Sequence, residues 1–495
     1  MTATTRDEAK SFLTLGWLVT PTIHPSYWIN ERAKPGLQTE GDVIAVPAES
    51  MASHTVVIAK SGSGKSFFLG RIIEELMIHT KARCLILDSN ADFRKVYEVE
   101  DAKLWTSAKY DLMKGTGKLP TETSRKAFSS LWSTVSVKVL TAESSDDPHC
   151  EEFKLWWPSL SAEFLAENLN SLQSSELRQC HEFVKMIISL SRTKDKATKF
   201  TDNLNDAERL LNQRHQSGIN LQELLTKEFR DPVSTRYQEE LKDAKGRKRR
   251  QVERRLILAQ KSVERRIRLA VEASKYVNDD IVTFYFSRTR GYLASGVIAD
   301  ARPQYADNAR LTVIDLPSLR DKILAVNAVL ATEWEEAREK WSAALEEPTE
   351  EDKRVPTFIV VDEAHNLIPA KTNGRLQAKL RDQFRMIAAE GRKYGLFLIL
   401  VSQRPDKLDP FVISECDNKA VMQLDSQVVL NSTKDSLGLE DVGSLSKTLT
   451  FGTGRVLIIG RWSPEPRVLY CAARRTREGG RNLRAPYWAS SYPAS

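Results

Sequence analysis

Seven short apolar runs constrain the fold of this 495-residue chain more than any other feature. Each run has four to six residues rich in Val, Ile and Leu, and most alternate with stretches of helical periodicity such as 66–79 and 320–341. Strands of a parallel sheet have this composition because helices cover both of its faces. The pattern predicts an α/β fold with a mainly parallel sheet, whose strands are 55–59, 84–87, 311–314, 358–361, 396–401, 420–424 and 456–459.

Composition excludes several classes of protein. Hydrophobic residues make up 41% and charged residues 28% of the chain, which is ordinary for a globular protein. No apolar run reaches the length of a membrane helix, and five scattered cysteines predict neither a disulfide framework nor a zinc site. We therefore expect a reduced, cytoplasmic protein without a membrane segment. The net charge of +7 permits a polyanionic partner.

About 200 residues interrupt the α/β pattern and have helical periodicity. Helices are predicted over 151–166, 175–190, 207–225 and 237–277. Aromatic residues of the first stretch, including Trp156 and Trp157, fit a bundle core better than a base-stacking platform. The predicted organisation is a short N-terminal segment (1–50), a core in two parts (51–104 and 306–473), a helical insertion (105–305) and a basic C-terminal tail (474–495).

The segment Ala-Lys-Ser-Gly-Ser-Gly-Lys-Ser, residues 59–66, follows one predicted strand and opens a predicted helix. Its glycines allow a tight turn that points backbone N–H groups at phosphate oxygens, and the helix adds its positive end. This context predicts a nucleotide site that binds ATP through Lys60, Ser61, Gly62, Ser63, Gly64, Lys65, Ser66 and Phe67. Lys65 would reach the phosphates and Ser66 would bind Mg²⁺. Ala59 stands where a glycine is usual.

Polar residues end two further predicted strands. Asp362 can hold Mg²⁺, and Glu363 can activate the attacking water. Gln403, at the end of the strand 396–401, can sense the terminal phosphate. Arg392 closes a predicted helix over 375–394, where it either pairs with the helix end or acts as an arginine finger on a neighbouring subunit.

Six blocks together resemble the HerA branch of the HerA/FtsK superfamily of DNA-pumping ATPases. They are Lys-Ser-Gly-Ser-Gly-Lys-Ser ending at 66, Leu-Asp-Ser-Asn-Ala-Asp-Phe ending at 93, Leu-Thr-Val-Ile-Asp-Leu ending at 316, Val-Asp-Glu-Ala-His ending at 365, Glu-Gly-Arg-Lys-Tyr-Gly ending at 395, and Ser-Gln-Arg-Pro ending at 405.

The resemblance implies a RecA-like motor with P-loop NTPase chemistry that assembles as a ring, usually a hexamer, and pumps double-stranded DNA. It implies that Asp88 is an acidic site residue and that Arg392 acts in trans. Members often work beside a nuclease or another effector, in DNA end processing or antiviral defence. They usually carry a β-barrel of about 100 residues before the phosphate loop, whereas only about 50 residues precede it here.

Two basic stretches are candidates for contact with DNA, and a third basic stretch lies near the C-terminal end. Residues 242–268 carry twelve basic and three acidic side chains, and their apolar residues recur at helical spacing. This helix could contact DNA, dock an acidic protein or simply be solvated. Lys371, Arg375 and Lys379 would share one helix face if the helix begins early enough. The stretch 474–484 could cross to a neighbouring subunit or be a disordered end.

The leading hypothesis is an ATP-driven DNA translocase or helicase. The alternative is an ATPase ring that mainly assembles and activates a partner effector. A motor that works across a membrane is disfavoured by the lack of a membrane segment. Asp-Glu-Ala-His, residues 362–365, also occurs in another helicase class, whose second-domain motifs we do not find.

Overall fold

The computed structural model describes residues 12–18, 43–100, 122–142, 145–159, 171–191, 199–217, 220–294, 298–300, 305, 309–346, 355–439, 445–471 and 474–479. Most of the N-terminal segment, the acidic linker around 347–354 and residues 480–495 lie outside these ranges. All five cysteines are free. No helix in the described ranges is both long and apolar enough to cross a membrane.

The described strands form a mixed sheet in which a parallel block is extended by antiparallel strands. Its order is β2-β1-β12-β11-β10-β3-β9-β8-β4-β7-β5-β6, and the neighbours from β10 to β6 are all parallel. The strands are β1 (Phe12–Leu18), β2 (Val43–Pro47), β3 (Thr55–Ile58), β4 (Arg83–Asp88), β5 (Val137–Thr141), β6 (Cys150–Glu152), β7 (Leu311–Asp315), β8 (Thr357–Val361), β9 (Leu396–Ser402), β10 (Asn418–Val421), β11 (Arg455–Gly460) and β12 (Ser463–Cys471).

Helices flank the sheet and build a second unit. They are α1 (Lys65–His79), α2 (Glu122–Trp132), α3 (Ser171–Ser191), α4 (Phe200–Ser217), α5 (Leu221–Leu225), α6 (Asp231–Asp243), α7 (Gly246–Ser274), α8 (Asp279–Ala294), α9 (Lys322–Glu346), α10 (Ala364–Leu367), α11 (Arg375–Tyr394), α12 (Pro410–Ser414) and α13 (Gln427–Leu437). Short single turns join several of them.

The predicted α/β class is confirmed, since all seven predicted strands are present in the parallel block or beside it. Every residue of β3, β7, β8 and β9 is buried, as a sheet covered on both faces requires. Apolar residues of α1, including Phe68, Ile72 and Ile73, belong to the core formed with these strands. The parallel strands end at one edge, and that edge carries the candidate site.

The prediction that helical structure begins at 105 is wrong for two segments, because Val137–Thr141 and Cys150–Glu152 add parallel strands to the sheet. The chain divides into two compact units, and the second holds Lys154–Pro303 together with Asn327–Thr332. The sheet lies in the first unit.

Three predicted helices differ from the structure. The stretch predicted at 151–166 begins in β6 and continues to a single turn, Trp157–Ser159, with residues 160–170 outside the described ranges. Trp157 is nonetheless buried, and its indole donates to the Tyr285 hydroxyl at 2.9 Å. The stretch 207–225 is divided between α4 and α5. The stretch 237–277 is broken at Ala244, whose extended backbone separates α6 from α7.

Candidate nucleotide-binding site

The loop between β3 and α1 has the backbone that its sequence predicts. Gly62 and Gly64 have φ angles of 75° and 95°, in the left-handed region that favours glycine. Gly64 caps α1, so the first N–H groups of the helix begin at the loop. Ala59 is buried and is not among the described residues with positive φ, so alanine is accommodated at this position without backbone strain.

Lys65 lies between the two carboxylates that follow β8. Its Nζ atom is 3.1 Å from Asp362 Oδ1 and also contacts Glu363 Oε1. The side chain is nearly buried, which alone would lower its pKa, but Asp362 and Glu363 outweigh burial and raise the pKa of Lys65. The sheet order explains the contact: β3 and β8 lie on either side of β9 and run parallel to it, so their carboxyl ends lie at the same edge of the sheet, one strand apart.

Glu363 adopts an unusual backbone conformation. Its φ of 49° and ψ of 48° place a non-glycine residue in the left-handed region, which costs free energy and is typical of functional sites. Gln403 donates to Oε1, whereas the buried Oε2 accepts no hydrogen bond from the residues that the structure describes. Burial acts to raise the pKa of Glu363, but Lys65 and Gln403 outweigh it and lower the pKa, which keeps the carboxylate ionised.

Asp362 is the more buried member of the acidic pair. Its Oδ2 accepts a hydrogen bond from Asn90 Nδ2 at 2.8 Å. Burial raises the pKa of Asp362 despite the opposing charge of Lys65. Two neighbouring carboxylates therefore have pKa values shifted in opposite directions by their surroundings.

Asp88 shapes the loop after β4. Its carboxylate accepts hydrogen bonds from the amides of Asn90, Asp92 and Phe93 at 3.2, 3.1 and 2.8 Å. Burial raises the pKa of Asp88 to about 7, although the amides of Phe93 and Asn90 oppose the shift. Ala91, with a φ of 61°, completes the turn.

This turn brings in two residues that we did not select from the sequence. Asp92 accepts a hydrogen bond from the Ser66 hydroxyl, and Asn90 reaches Asp362. Both lie in the segment Leu-Asp-Ser-Asn-Ala-Asp-Phe that ends at 93. The sequence feature that could have identified them is a carboxylate and an amide directly after a buried strand. Their partners could not be read from the sequence, because the contacts depend on the backbone at Ala91.

His365 supports Ser402 and stands close to the acidic pair. Its Nδ1 is 3.1 Å from Ser402 Oγ and 3.5 Å from Glu363 Oε2. Burial lowers the pKa of His365, although Glu363 opposes the shift. The contact with Ser402 gives His365 a structural role.

Arg392 does not belong to the cluster around Lys65. It pairs with Asp417 at 3.0 Å and donates to the carbonyl oxygen of Glu415 at 3.3 Å. Its guanidinium is partly exposed at the end of α11. The structure thus brings together Lys65, Ser66, Asp88, Asp362, Glu363 and Gln403, and leaves Arg392 apart.

The first residues of the predicted tail fold back on the same chain, so both interpretations of this stretch are wrong for 474–479. Arg474 is completely buried, stacks 4.5 Å from the centre of the Phe93 ring and donates to the carbonyl oxygen of Asp92 at 3.0 Å. The amides of Arg475 and Thr476 donate to Glu74 Oε1. This segment holds the turn after β4 against α1.

Lys371 precedes α11, which begins at Arg375, so the proposed three-residue face is wrong for Lys371. Arg375 and Lys379 do share the first turns of the helix. The basic segment 242–268 lies in the last residues of α6 and most of α7.

A glycine-bearing loop between a buried strand and a helix, with two carboxylates at the end of a nearby parallel strand, defines a P-loop nucleotide-binding protein. The chain belongs to the family described as "Helicase HerA, central domain", whose sequence profile matches residues 38–330, more than half of the chain. A profile for "ATPase family associated with various cellular activities (AAA)" matches residues 291–424.

Curated relatives match over part of their length. A DNA double-strand break repair helicase HerA from Sulfolobus acidocaldarius is 32% identical over 166 residues, covering 32% of this chain and 31% of the relative. A probable helicase from Methanocaldococcus jannaschii is 35% identical over 118 residues, covering 22% and 21%. The chain therefore matches less than a third of the length of these relatives.

Among solved structures, VirB4 of Thermoanaerobacter pseudethanolicus overlaps 85% of this chain and 89% of its own. The identity is 15% and the TM-score 0.37. The fold class stated above therefore depends on the strand order and the loop geometry of this chain.

Proposed function

We propose that the chain is an ATP-hydrolysing motor that translocates along or unwinds double-stranded DNA, with its motor core in residues 51–104 and 306–473. The observation that carries the proposal is the cluster of Lys65, Asp362, Glu363 and Gln403 at one edge of the parallel sheet. An amine, two carboxylates and an amide at the end of a phosphate-binding loop are the groups that phosphoryl transfer requires. Membership in the HerA family supports duplex DNA as the polymer along which the motor moves.

The loop supplies the binding half of this chemistry. The backbone from Lys60 to Phe67 would hold the phosphates, and Lys65 would exchange its carboxylate partners for the phosphate oxygens. That exchange is between partners of like charge, so the amine stays paired throughout. Since Lys65 holds both carboxylates in the structure, nucleotide binding would also release Glu363 for its own role.

The oxygen ligands fit Mg²⁺. Ser66 and Asp362 would hold the ion, since hydroxyl and carboxylate oxygens are the ligands it prefers, and both side chains lie at the same edge of the sheet. When bound, Mg²⁺ would neutralise charge on the phosphates. Asp92 and Asn90 keep Ser66 and Asp362 oriented, and Asp88 maintains the turn that carries them.

Glu363 would accept the proton of the attacking water. Its lowered pKa keeps it ionised, and no described residue donates a hydrogen bond to its Oε2. Gln403, which donates to Oε1, would fix the carboxylate and report loss of the terminal phosphate to β9. Glu363 is therefore the proposed base and Gln403 the proposed sensor.

Arg392 would act on the nucleotide of a neighbouring subunit. Among the described residues its partly exposed guanidinium has one carboxylate partner, Asp417 at 3.0 Å, which an incoming phosphate could replace. A trans-acting arginine requires an oligomer. We propose a homo-oligomeric ring with six subunits, as the resemblance to the HerA branch implies. We further propose a cytoplasmic motor without membrane contact that works with a nuclease or other effector in DNA end processing or antiviral defence.

The test is steady-state ATP hydrolysis by the full chain with and without linear duplex DNA. We expect Mg²⁺-dependent hydrolysis that duplex DNA stimulates, and loss of hydrolysis in Lys65→Ala and Glu363→Gln. Hydrolysis that is unchanged by DNA would refute the translocase. A Glu363→Gln ring that fully activates a co-purified nuclease would instead favour the scaffold.

A further inference from the structure

Helix α7 presents a stripe of cations opposite its buried face. Its buried side chains, among them Val252, Val263 and Ile267, recur at helical spacing and pack into the second unit. Arg266, at the edge of this face, donates to the carbonyl oxygen of Ser189 in α3 at 3.2 Å. These contacts fix the rotation of the helix about its own axis.

Five basic residues, which we name the cationic stripe, lie on the outward side: Arg250, Arg254, Lys261, Arg265 and Arg268. Their separations of four, seven, four and three residues place them within about 60° of one another on the helix surface. All five are exposed. The stripe extends over about 27 Å, at 1.5 Å per residue.

The described residues give none of these five cations an acidic partner. Two other cations of the same helix are paired: Arg249 binds Glu253 at 3.1 Å, and Arg255 lies 4.0 Å from Glu240. Of the three acidic residues of the helix, Glu253 and Glu264 lie beside the stripe and bind Arg249 and Arg230. The third, Glu272, lies on the stripe side beyond Arg268 and binds Lys275 at 2.7 Å. The charge of the stripe is therefore uncompensated, and a polyanion complements it.

Exposed aliphatic residues flank the stripe but do not form one patch. Ile257 lies on one side, and Leu258 and Leu269 lie on the other. An amphipathic acidic helix needs a contiguous apolar seam, which the row of charges interrupts. Duplex DNA needs only the charges, and it carries about one negative charge per 1.7 Å of its axis.

We propose that the cationic stripe is a sequence-independent contact surface for duplex DNA on the helical unit. The proposal rests on the proposed function in taking duplex DNA as the track of the motor. It adds a surface that is distinct in sequence from the nucleotide site and needs no nucleotide to bind. Binding of this kind weakens with salt, because each neutralised phosphate releases counterions.

The experiment measures anisotropy of a fluorescein-labelled 30-base-pair duplex mixed with the full chain, without nucleotide, from 50 to 300 mM NaCl. The stripe variant is Arg254→Gln/Lys261→Gln/Arg265→Gln. We expect its affinity to fall by roughly tenfold or more at 100 mM salt. The slope of log affinity against log salt should decrease by about 2.7, since each lost contact removes about 0.9.

The matched control removes the same charge from the same helix outside the stripe, in Lys248→Gln/Arg249→Gln/Arg255→Gln. It should keep most of the wild-type affinity. Equal losses in the two variants, or wild-type binding by the stripe variant, would overturn the proposal. Circular dichroism melts of each variant confirm the fold, since all six positions are exposed.

Two further measurements test whether the stripe binds another class of partner. Leu258→Ser/Leu269→Ser should bind the duplex as the wild type does, and a loss equal to that of the stripe variant would indicate an apolar interface instead. Vesicles of one part phosphatidylserine and three parts phosphatidylcholine should not compete for the stripe; their preferential binding would overturn the choice of DNA.

The outcome of the DNA-binding experiment can be distinguished from the outcome of the ATPase test. A wild-type chain that binds the duplex through the stripe but whose hydrolysis ignores DNA contradicts the proposed function alone. DNA-stimulated hydrolysis with an unchanged DNA concentration at half-maximum in the stripe variant contradicts the stripe alone.

Discussion

His54 links the helix that carries Arg392 to the sheet, and acid should weaken that link. The residue precedes β3 and is fully buried. Its Nδ1 accepts the Leu398 amide at 2.9 Å, so Nε2 carries the proton and donates to the carbonyl oxygen of Ala388 at 3.0 Å. Protonation of Nδ1 would break the hydrogen bond from the Leu398 amide.

Burial lowers the pKa of His54 from 6.5 to about 4, and the charge of Arg392 adds to this, against the bond to Ala388 and the charge of Asp417. Because the folded-state pKa lies below the unfolded value, the stabilisation from the neutral ring is complete above about pH 6.5 and is lost as pH falls toward 4. Between pH 7.5 and pH 5 this loss is about 2 kcal/mol, at 1.36 kcal/mol per pKa unit.

The assay is urea unfolding followed by circular dichroism at pH 7.5 and pH 5, on the wild type and His54→Gln. Since other groups titrate in both proteins, the informative quantity is the difference between their pH-dependent changes in free energy of unfolding. We expect the wild type to lose about 2 kcal/mol more than the variant. Equal pH dependence in wild type and His54→Gln would refute the reasoning.

Three further predictions concern the site. Glu363→Gln should lower ATP turnover by about 10²–10⁴-fold while ATP binding, measured by calorimetry, persists; weakened binding with normal turnover would contradict the assignment. Arg474→Leu should lower the free energy of unfolding by about 3 kcal/mol, because partly buried carbonyl groups lose a charged donor that is itself fully buried, whereas Arg477→Leu, at a half-buried position, should cost less. Arg392→Ala subunits should be inactive alone but recover hydrolysis when mixed with Lys65→Ala subunits, since each supplies what the other lacks. Absence of recovery in rings shown to be mixed would contradict action in trans.

The sequence was most informative where local chemistry decides the structure. The apolar runs predicted the buried strands, and α11 begins and ends where its periodicity indicated. The glycines of the loop take the positive φ angles that a tight turn requires. In each case the cause lies within a few residues of its effect.

Contacts between distant residues were harder to predict. β6 is a three-residue edge strand, Cys-Glu-Glu, without an apolar run, and sheet pairing alone defines it. The role of Asp92 depends on the left-handed backbone of Ala91. Arg474 is read from sequence as a basic tail residue, but the Phe93 ring and backbone carbonyl groups compensate its burial. Tertiary packing determines all three.

Displacement of a triplex-forming oligonucleotide from linear duplex DNA tests the central claim most directly, because it requires movement along the duplex. The full chain with ATP and Mg²⁺ should displace the oligonucleotide at a rate that depends on its distance from the DNA end, and Glu363→Gln should not displace it. ATP hydrolysis by the wild type without displacement would contradict a motor that moves on DNA.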